Sequence, residues 1–230
     1  GQRKAIAAAD GPVLITAGPG TGKTYTLVQR AIYLIEECNV RPESIFIATF
    51  TEKAAKELVT RITNELANRN ITANINEMYI GTFHSLCLRM LKEHLEYTRL
   101  RRNYRLMDSF DQQYMVFQNI HRFRSIPEIE IVLPNGGAWK QAETICNFVN
   151  NLSEELVSPE ELMSDHDPSI ASLGRMLQEY RTILTEANLM DFSSIQIEAY
   201  RLLCDNEGIL NELRSAITHI MVDEYQDTNY

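Results

Sequence analysis

The segment Ala17-Gly18-Pro19-Gly20-Thr21-Gly22-Lys23-Thr24 constrains this chain more than any other feature, because a glycine-rich run of this kind belongs between a strand and a helix. The apolar run VLITA, Val13 to Ala17, reads as the strand before it, and the residues after Lys23 read as the helix it opens. Glycines at 18, 20 and 22 let the backbone approach an anion closely, so that successive N–H groups and the helix N-terminus can cradle phosphate oxygens. Lys23 is placed to neutralise the β and γ phosphates, and Thr24 to put its hydroxyl on Mg2+. Ala17 stands where the strict pattern has glycine; the two further glycines and the strand-turn-helix setting outweigh that miss.

The first 85 residues continue this alternation. IFIATF, Ile45 to Phe50, and MYIGT, Met78 to Thr82, read as two more strands separated by helical patterns, the signature of βαβ units in a parallel sheet. Right-handed crossovers put the C-terminal ends of such strands on one edge. From about Phe83 to Leu189 strand signals vanish, and segments such as SFDQQYMVFQNI and SLGRMLQEYRTIL carry a helical period. The α/β pattern returns with a helix near Asp191 to Leu203 and the strand THIMV, which ends at Val222.

That last strand runs into Asp223 and Glu224, placing two carboxylates at the sheet edge that also holds the glycine-rich loop. The pairing predicts a division of labour. Asp223 holds magnesium, directly or through water, and Glu224 orients and deprotonates the water that attacks the γ phosphate.

Composition narrows the class. With 44% hydrophobic and 23% charged residues in 230, the chain is globular rather than disordered. Its four cysteines are scattered and complete no zinc site, so free thiols are expected. No apolar run approaches the roughly 20 residues of a membrane-spanning helix, and a cytoplasmic protein is expected. The net charge of -9 counts mildly against a nucleic-acid partner. It hides a basic stretch, however: Arg89, Lys92, Arg99, Arg101, Arg102 and Arg105.

Taken together, AGPGTGKT, TFTEKAAKEL, GTFHSLC and HIMVDEYQDTN resemble motifs I, Ia, Ib and II of the UvrD, Rep and PcrA helicases, in matching order and spacing. SFDQ, SPEEL and NLMDF extend the resemblance over nearly the whole chain. It implies a RecA-like P-loop α/β fold, a parallel sheet flanked by helices, with residues 1–85 and 189–230 forming the ATP-binding domain and residues 86–188 an all-helical insertion. It also implies ATP and Mg2+ as cofactors, and a parent that moves along single-stranded DNA to duplex junctions, 3' to 5', in replication or repair. Repair or replication proteins would dock through the insertion.

By the same resemblance, Gln2 is the adenine-reading glutamine, with an exposed terminal glutamine as the alternative. Gln226 and Asp227 sense nucleotide state. Phe50 and Thr51 in motif Ia, and Thr82, Phe83, His84 and Ser85 in motif Ib, meet single-stranded DNA through aromatic faces and hydroxyls. The plainer expectation is that Phe50 and Phe83 pack in the core and His84 is a structural hydrogen-bond partner. Glu52 departs from the family's asparagine and adds negative charge beside the proposed DNA path; Ser193 and Ser194 replace acids usual after Asp191-Phe192.

Motifs III to VI do not occur, so the sheet is expected to be incomplete beside the loop strand, and hydrolysis by this chain alone to be negligible for want of an arginine finger. The rival readings are the motor of a recombination helicase-nuclease and a nucleotide-binding interaction module that no longer hydrolyses ATP.

Overall fold

The computed structural model describes residues 1–8, 11–18 and 20–227, which divide into two compact units, residues 1–86 with 206–230 and residues 87–205. Pro19 of the expected phosphate loop lies outside the described residues.

The first unit is built on a parallel three-stranded sheet. Strands β1 (Ile45–Thr49), β2 (Tyr79–Thr82) and β5 (His219–Val222) lie in the order β2-β1-β5. Phe46 sits opposite Tyr79 on one side and Ile220 on the other. Strand alternation sorts β1 between two apolar layers. Ile45 and Ile47 join a core with Val28, Ala31 and Ile32 from α2 (Lys23–Glu36) and Leu58, Ile62 and Leu66 from α3 (Glu52–Asn68). Phe46 and Ala48 face Tyr79, Leu86, Phe83 and Ile217 on the opposite side. The buried positions of both helices recur at three- and four-residue spacing, the stripe that a helix needs to lie on a sheet. A short α1 (Gln2–Ile6) is tied to α2 where Arg30 Nη1 donates to the Ile6 carbonyl at 2.5 Å.

One expected strand does not form. Val13 to Ala17 has no strand pairing, and Val13, Leu14 and Ile15 are 53, 75 and 48% exposed. A strand persists only with a hydrogen-bonded neighbour, and among the described residues β5 pairs with β1 alone, leaving Ile220 68% exposed at the edge. An apolar run therefore satisfied the sequence pattern without finding a ladder.

The second unit begins within α4 (Phe83–Glu93) and continues through α5 (Ser109–Gln118), α6 (Ile120–Arg124), α7 (Ala138–Glu154), α8 (Pro159–Met163), α9 (Pro168–Glu186) and α10 (Phe192–Asp205). It has its own core, with Phe123, Ile145, Val149, Met176, Leu177 and Tyr180 among its buried members. The sequence leads to the expectation of an all-helical insertion over residues 86–188, but the segment holds one short strand: β3 (Arg105–Leu106) pairs in parallel with β4 (Leu189–Met190). The last helix, α11 (Glu207–Ala216), returns the chain to β5.

Candidate functional site

The glycine-rich loop ends at Gly22, the N-cap of α2, in left-handed backbone at φ 88°. Gly20 is also left-handed, at φ 74°. These are conformations that a Cβ disfavours, and they turn the chain so that α2 starts with its free N–H groups toward the loop. The Gln2 side-chain amide lies close against Gly22, 2.7 Å from where a Cβ would stand. Gln2 Nε2 donates to the Thr21 carbonyl at 2.9 Å, and Thr21 Oγ1 donates to the Gly18 carbonyl at 2.6 Å. Gln2 is thus held against the loop rather than free at the terminus. Ala17 and Gly18 lead into the loop, both exposed, while Lys23 and Thr24 open the helix.

Across 201 residues of sequence, Lys23 Nζ reaches Glu224, 3.0 Å from each carboxylate oxygen. Glu224 follows β5 in left-handed backbone at φ 50°, an uncommon conformation for a residue with a side chain. Gln226 Nε2 donates to the same carboxylate at 2.6 Å. Hydrogen bonds from Gln226 and Lys23 hold the Glu224 carboxyl below the usual range. Its neighbour behaves oppositely. Burial, and then the charge of Glu224, raise the Asp223 carboxyl. The Asp223 amide is anchored to the Ala48 carbonyl at 2.8 Å, continuing the β1 ladder one residue past the strand.

Two neighbouring carboxylates with opposed shifts, one lysine and a left-handed glycine loop meet at one edge of the sheet. Among the described residues no group of three or more His, Cys, Asp or Glu could hold a metal alone. Magnesium at nucleotide sites is held by one or two protein oxygens and keeps waters and phosphate oxygens as its other ligands. Thr24 and Asp223 are the residues that would hold it.

The other expected cluster, at the ends of β1 and β2, is also on the C-terminal edge. Phe50 is 62% exposed and so is not core packing. Thr51 N-caps α3, its hydroxyl accepting from the Ala54 amide at 3.1 Å. Phe83 packs partly against the Ala48, Tyr79 and Leu86 cluster. Thr82 is nearly buried; its oxygen accepts from the Ser85 amide at 3.1 Å and its hydroxyl donates to Glu52 at 3.1 Å. Ser85 in turn donates to the Thr82 carbonyl at 2.9 Å. Both hydroxyls thus serve the start of α4, beside His84 in its first turn. Sequence reading missed the Glu52 to Thr82 contact, which spans 30 residues of sequence and leaves no local signal. Asp227 lies in a short 3-10 turn after Glu224.

Known proteins supply a comparison for this arrangement. The model of the UvrD/REP helicase N-terminal domain matches residues 1–230. ATP-dependent DNA helicase SRS2 of Saccharomyces cerevisiae is 33% identical over 232 residues, covering 94% of this chain and 19% of that protein. A probable DNA helicase II homolog of Mycoplasma capricolum is 33% identical, covering 99% of this chain and 30% of its own length. DNA helicase II of Escherichia coli is 31% identical with the same two coverages. The chain therefore spans a third or less of these relatives.

Proposed function

The chain belongs to the UvrD/REP helicase N-terminal domain family, and on that premise we propose that it is the ATP-binding part of an ATP-dependent DNA helicase that translocates 3' to 5' on single-stranded DNA. The observation that carries this reading is the meeting of Lys23 with Glu224. It joins the glycine-rich loop to the carboxylate pair at one sheet edge.

In this reading the backbone amides of Gly20, Thr21, Gly22, Lys23 and Thr24 at the α2 N-terminus bind the phosphates, and Lys23 leaves Glu224 for the β and γ oxygens. Glu224, released, takes the proton of the attacking water. Gln226, already bonded to Glu224, reports which partner that carboxylate has. Gln2, fixed on Thr21, stands where an adenine edge would lie beside the loop. Magnesium would supply charge neutralisation between the β and γ phosphates. An intact Lys23, Thr24, Asp223 and Glu224 set argues against a module that only binds nucleotide.

Phe50, Thr51, Phe83 and His84 line the same C-terminal edge, and we assign them to single-stranded DNA, with Thr82 and Ser85 supporting the helix start behind them. Residues 1–85 and 189–230 form the motor domain in this assignment, with residues 86–188 inserted, although residues 189–205 pack with the helical unit. The unpaired Val13 to Ala17 and the open edge of β5 are read as two sides of one gap, which a further strand of the whole protein fills. A second motor domain supplies the arginine that stabilises the transferred phosphoryl group. The decisive test is ATPase activity of the whole protein with and without single-stranded DNA, against a Lys23→Ala control. Turnover indifferent to DNA would overturn the coupling.

A further inference from the structure

Four aromatic side chains stand together on the surface of the helical unit. Phe110, Tyr114 and Phe117 follow one stripe of α5 at spacings of four and three residues, and Trp139 meets them from the first turn of α7. The Phe110 and Tyr114 rings stack 2° from parallel with centroids 6.3 Å apart; Trp139 lies 5.9 Å from Phe110 and edge-on to Phe117 at 5.5 Å. All four are substantially exposed, Phe110 at 63%. The core-facing side of α5 is a different one, carrying Gln112, Met115 and Val116. Exposed aromatics gathered in one patch mark a surface that binds something.

What it binds is indicated by charge. Tyr114 also lines a cavity of about 490 Å³ with an apolar part of Met115, Ile183 and Leu189, and Arg105 lines it too. Arg105 belongs to a basic loop held by Asn188, whose side-chain oxygen accepts from the Arg101 amide at 2.9 Å and whose carbonyl accepts from the Arg105 amide at 3.2 Å. Arg99 and Arg122 are committed to Glu198 and to Glu179 and Glu186. Arg101, Arg102 and Arg105 are exposed and make no ion pair among the described residues. Lys140 follows Trp139, and Arg124 bonds Gln141 at 2.9 Å. Against these stand Asp108, which caps α5, Asp111 in the cavity wall and Glu143 one turn beyond Trp139.

We propose that this face is a second site for single-stranded nucleic acid, bases stacking on the Phe110, Tyr114 and Trp139 rings and phosphates held by Arg101, Arg102 and Arg105. Unstacked bases present flat faces that aromatic rings accept whatever the sequence, while arginines bind the backbone. Stacking within a duplex hides those faces, which is why the single strand is the better fit. The inference rests on the DNA-helicase reading of the family, and uses no residue of the glycine-rich loop or of the sheet edge.

Trp139 is the sole tryptophan of the chain, so its fluorescence reports this surface directly. The chain is titrated at low salt with a labelled oligothymidine of about 15 nucleotides, a length near the upper range of one single-strand binding site, while tryptophan emission and label anisotropy are read together. The expected result is Trp139 quenching with the midpoint of the anisotropy curve, weakened about ten-fold or more by Tyr114→Ala and by the pair Arg102→Glu and Arg105→Glu. These positions are exposed or half-buried, and circular dichroism checks that the variants fold. Anisotropy without quenching would overturn this second site and leave the sheet-edge reading standing. Silence in both signals would overturn both. Quenching that the variants leave unchanged, or that a duplex or an acidic peptide matches, would overturn the assignment to single strands.

Discussion

Lys23 and Glu224 hold each other at 3.0 Å through both carboxylate oxygens, so the residue expected to bind phosphate and the residue expected to activate water are each other's partner. The two roles separate cleanly by substitution. Glu224→Gln in the whole protein should keep nucleotide affinity within a few-fold and abolish steady-state hydrolysis, whereas Lys23→Ala should lose binding itself. Both side chains are about one-third exposed, and screening by water makes the pair a minor contributor to stability. Melting temperatures of the two variants should therefore match the parent, and retained turnover in Glu224→Gln would remove that residue from the base role.

A buried polar network fixes the helical unit and gives the largest stability prediction. Asp191 is 3% exposed and takes hydrogen bonds from the Tyr180 hydroxyl, from Gln112 at 3.3 Å and from the Ser194 amide at 2.7 Å. Its own amide donates to Ser194 Oγ at 3.0 Å, so residues 191 and 194 cap α10 reciprocally. Asp191→Ala leaves the buried Tyr180 hydroxyl without its acceptor and removes the cap, while Gln112 keeps Asn150 and the Tyr180 oxygen as acceptors. It should cost about 2–4 kcal/mol in urea unfolding. Asp191→Asn, which keeps an acceptor for Ser194, should cost clearly less; equal losses would show that the cap carries none of the effect.

Legibility in sequence followed the range of the interaction. Ile45 to Thr49 and the strand before Asp223 were readable because runs of apolar and β-branched residues announce themselves locally. Val13 to Ala17 carries the same signal and forms no strand, because pairing depends on a neighbour that local pattern cannot report. Arg105 and Leu106 carry no strand signal at all; their pairing with Leu189 and Met190, together with Asn188, makes β3. The glycine-rich loop and the carboxylate pair could be placed on one edge from topology alone. That Glu224 turns back on Lys23, and that Thr82 and Ser85 spend their hydroxyls on a helix start and on Glu52, needed coordinates.

Gly174 lets α8 pack closely against α9. A Cβ at this position of α9 would lie 2.7 Å from the Met163 amide and 2.8 Å from both Leu162 Cβ and the Pro159 carbonyl. Two of those atoms are backbone and cannot rotate away. Gly174→Ala must push α8 outward, and the expected loss is about 1–3 kcal/mol, despite alanine's better helix propensity. An unchanged urea midpoint would mean that α8 is free to shift.

The cysteines should divide by environment. Cys38 and Cys204 are exposed, whereas burial pushes the thiols of Cys87 up to about 11 and Cys146 up to about 12. Because the thiolate is the reacting form, a chromogenic disulfide at pH 8 should label Cys38 and Cys204 quickly and the other two only after unfolding. Rapid native labelling of Cys146 would show that the core around Tyr180 opens.

Glu52 offers the most direct test of the DNA edge. It is exposed at the first turn of α3, where its charge favours the helix, and it accepts the Thr82 hydroxyl, tying the loop after β1 to the end of β2. An asparagine there keeps a carbonyl oxygen for Thr82 and removes a negative charge beside Phe50 and Thr51. If phosphates pass this edge, Glu52→Asn should tighten single-stranded DNA binding several-fold at low salt, with the gain shrinking as salt rises past about 0.15 M, where screening acts over about 8 Å. Loss of the helix-end charge should offset this only in stability, by about 0.3–1 kcal/mol. Unchanged affinity at low salt would mean that the strand runs elsewhere, and would remove Phe50 and Thr51 from its path.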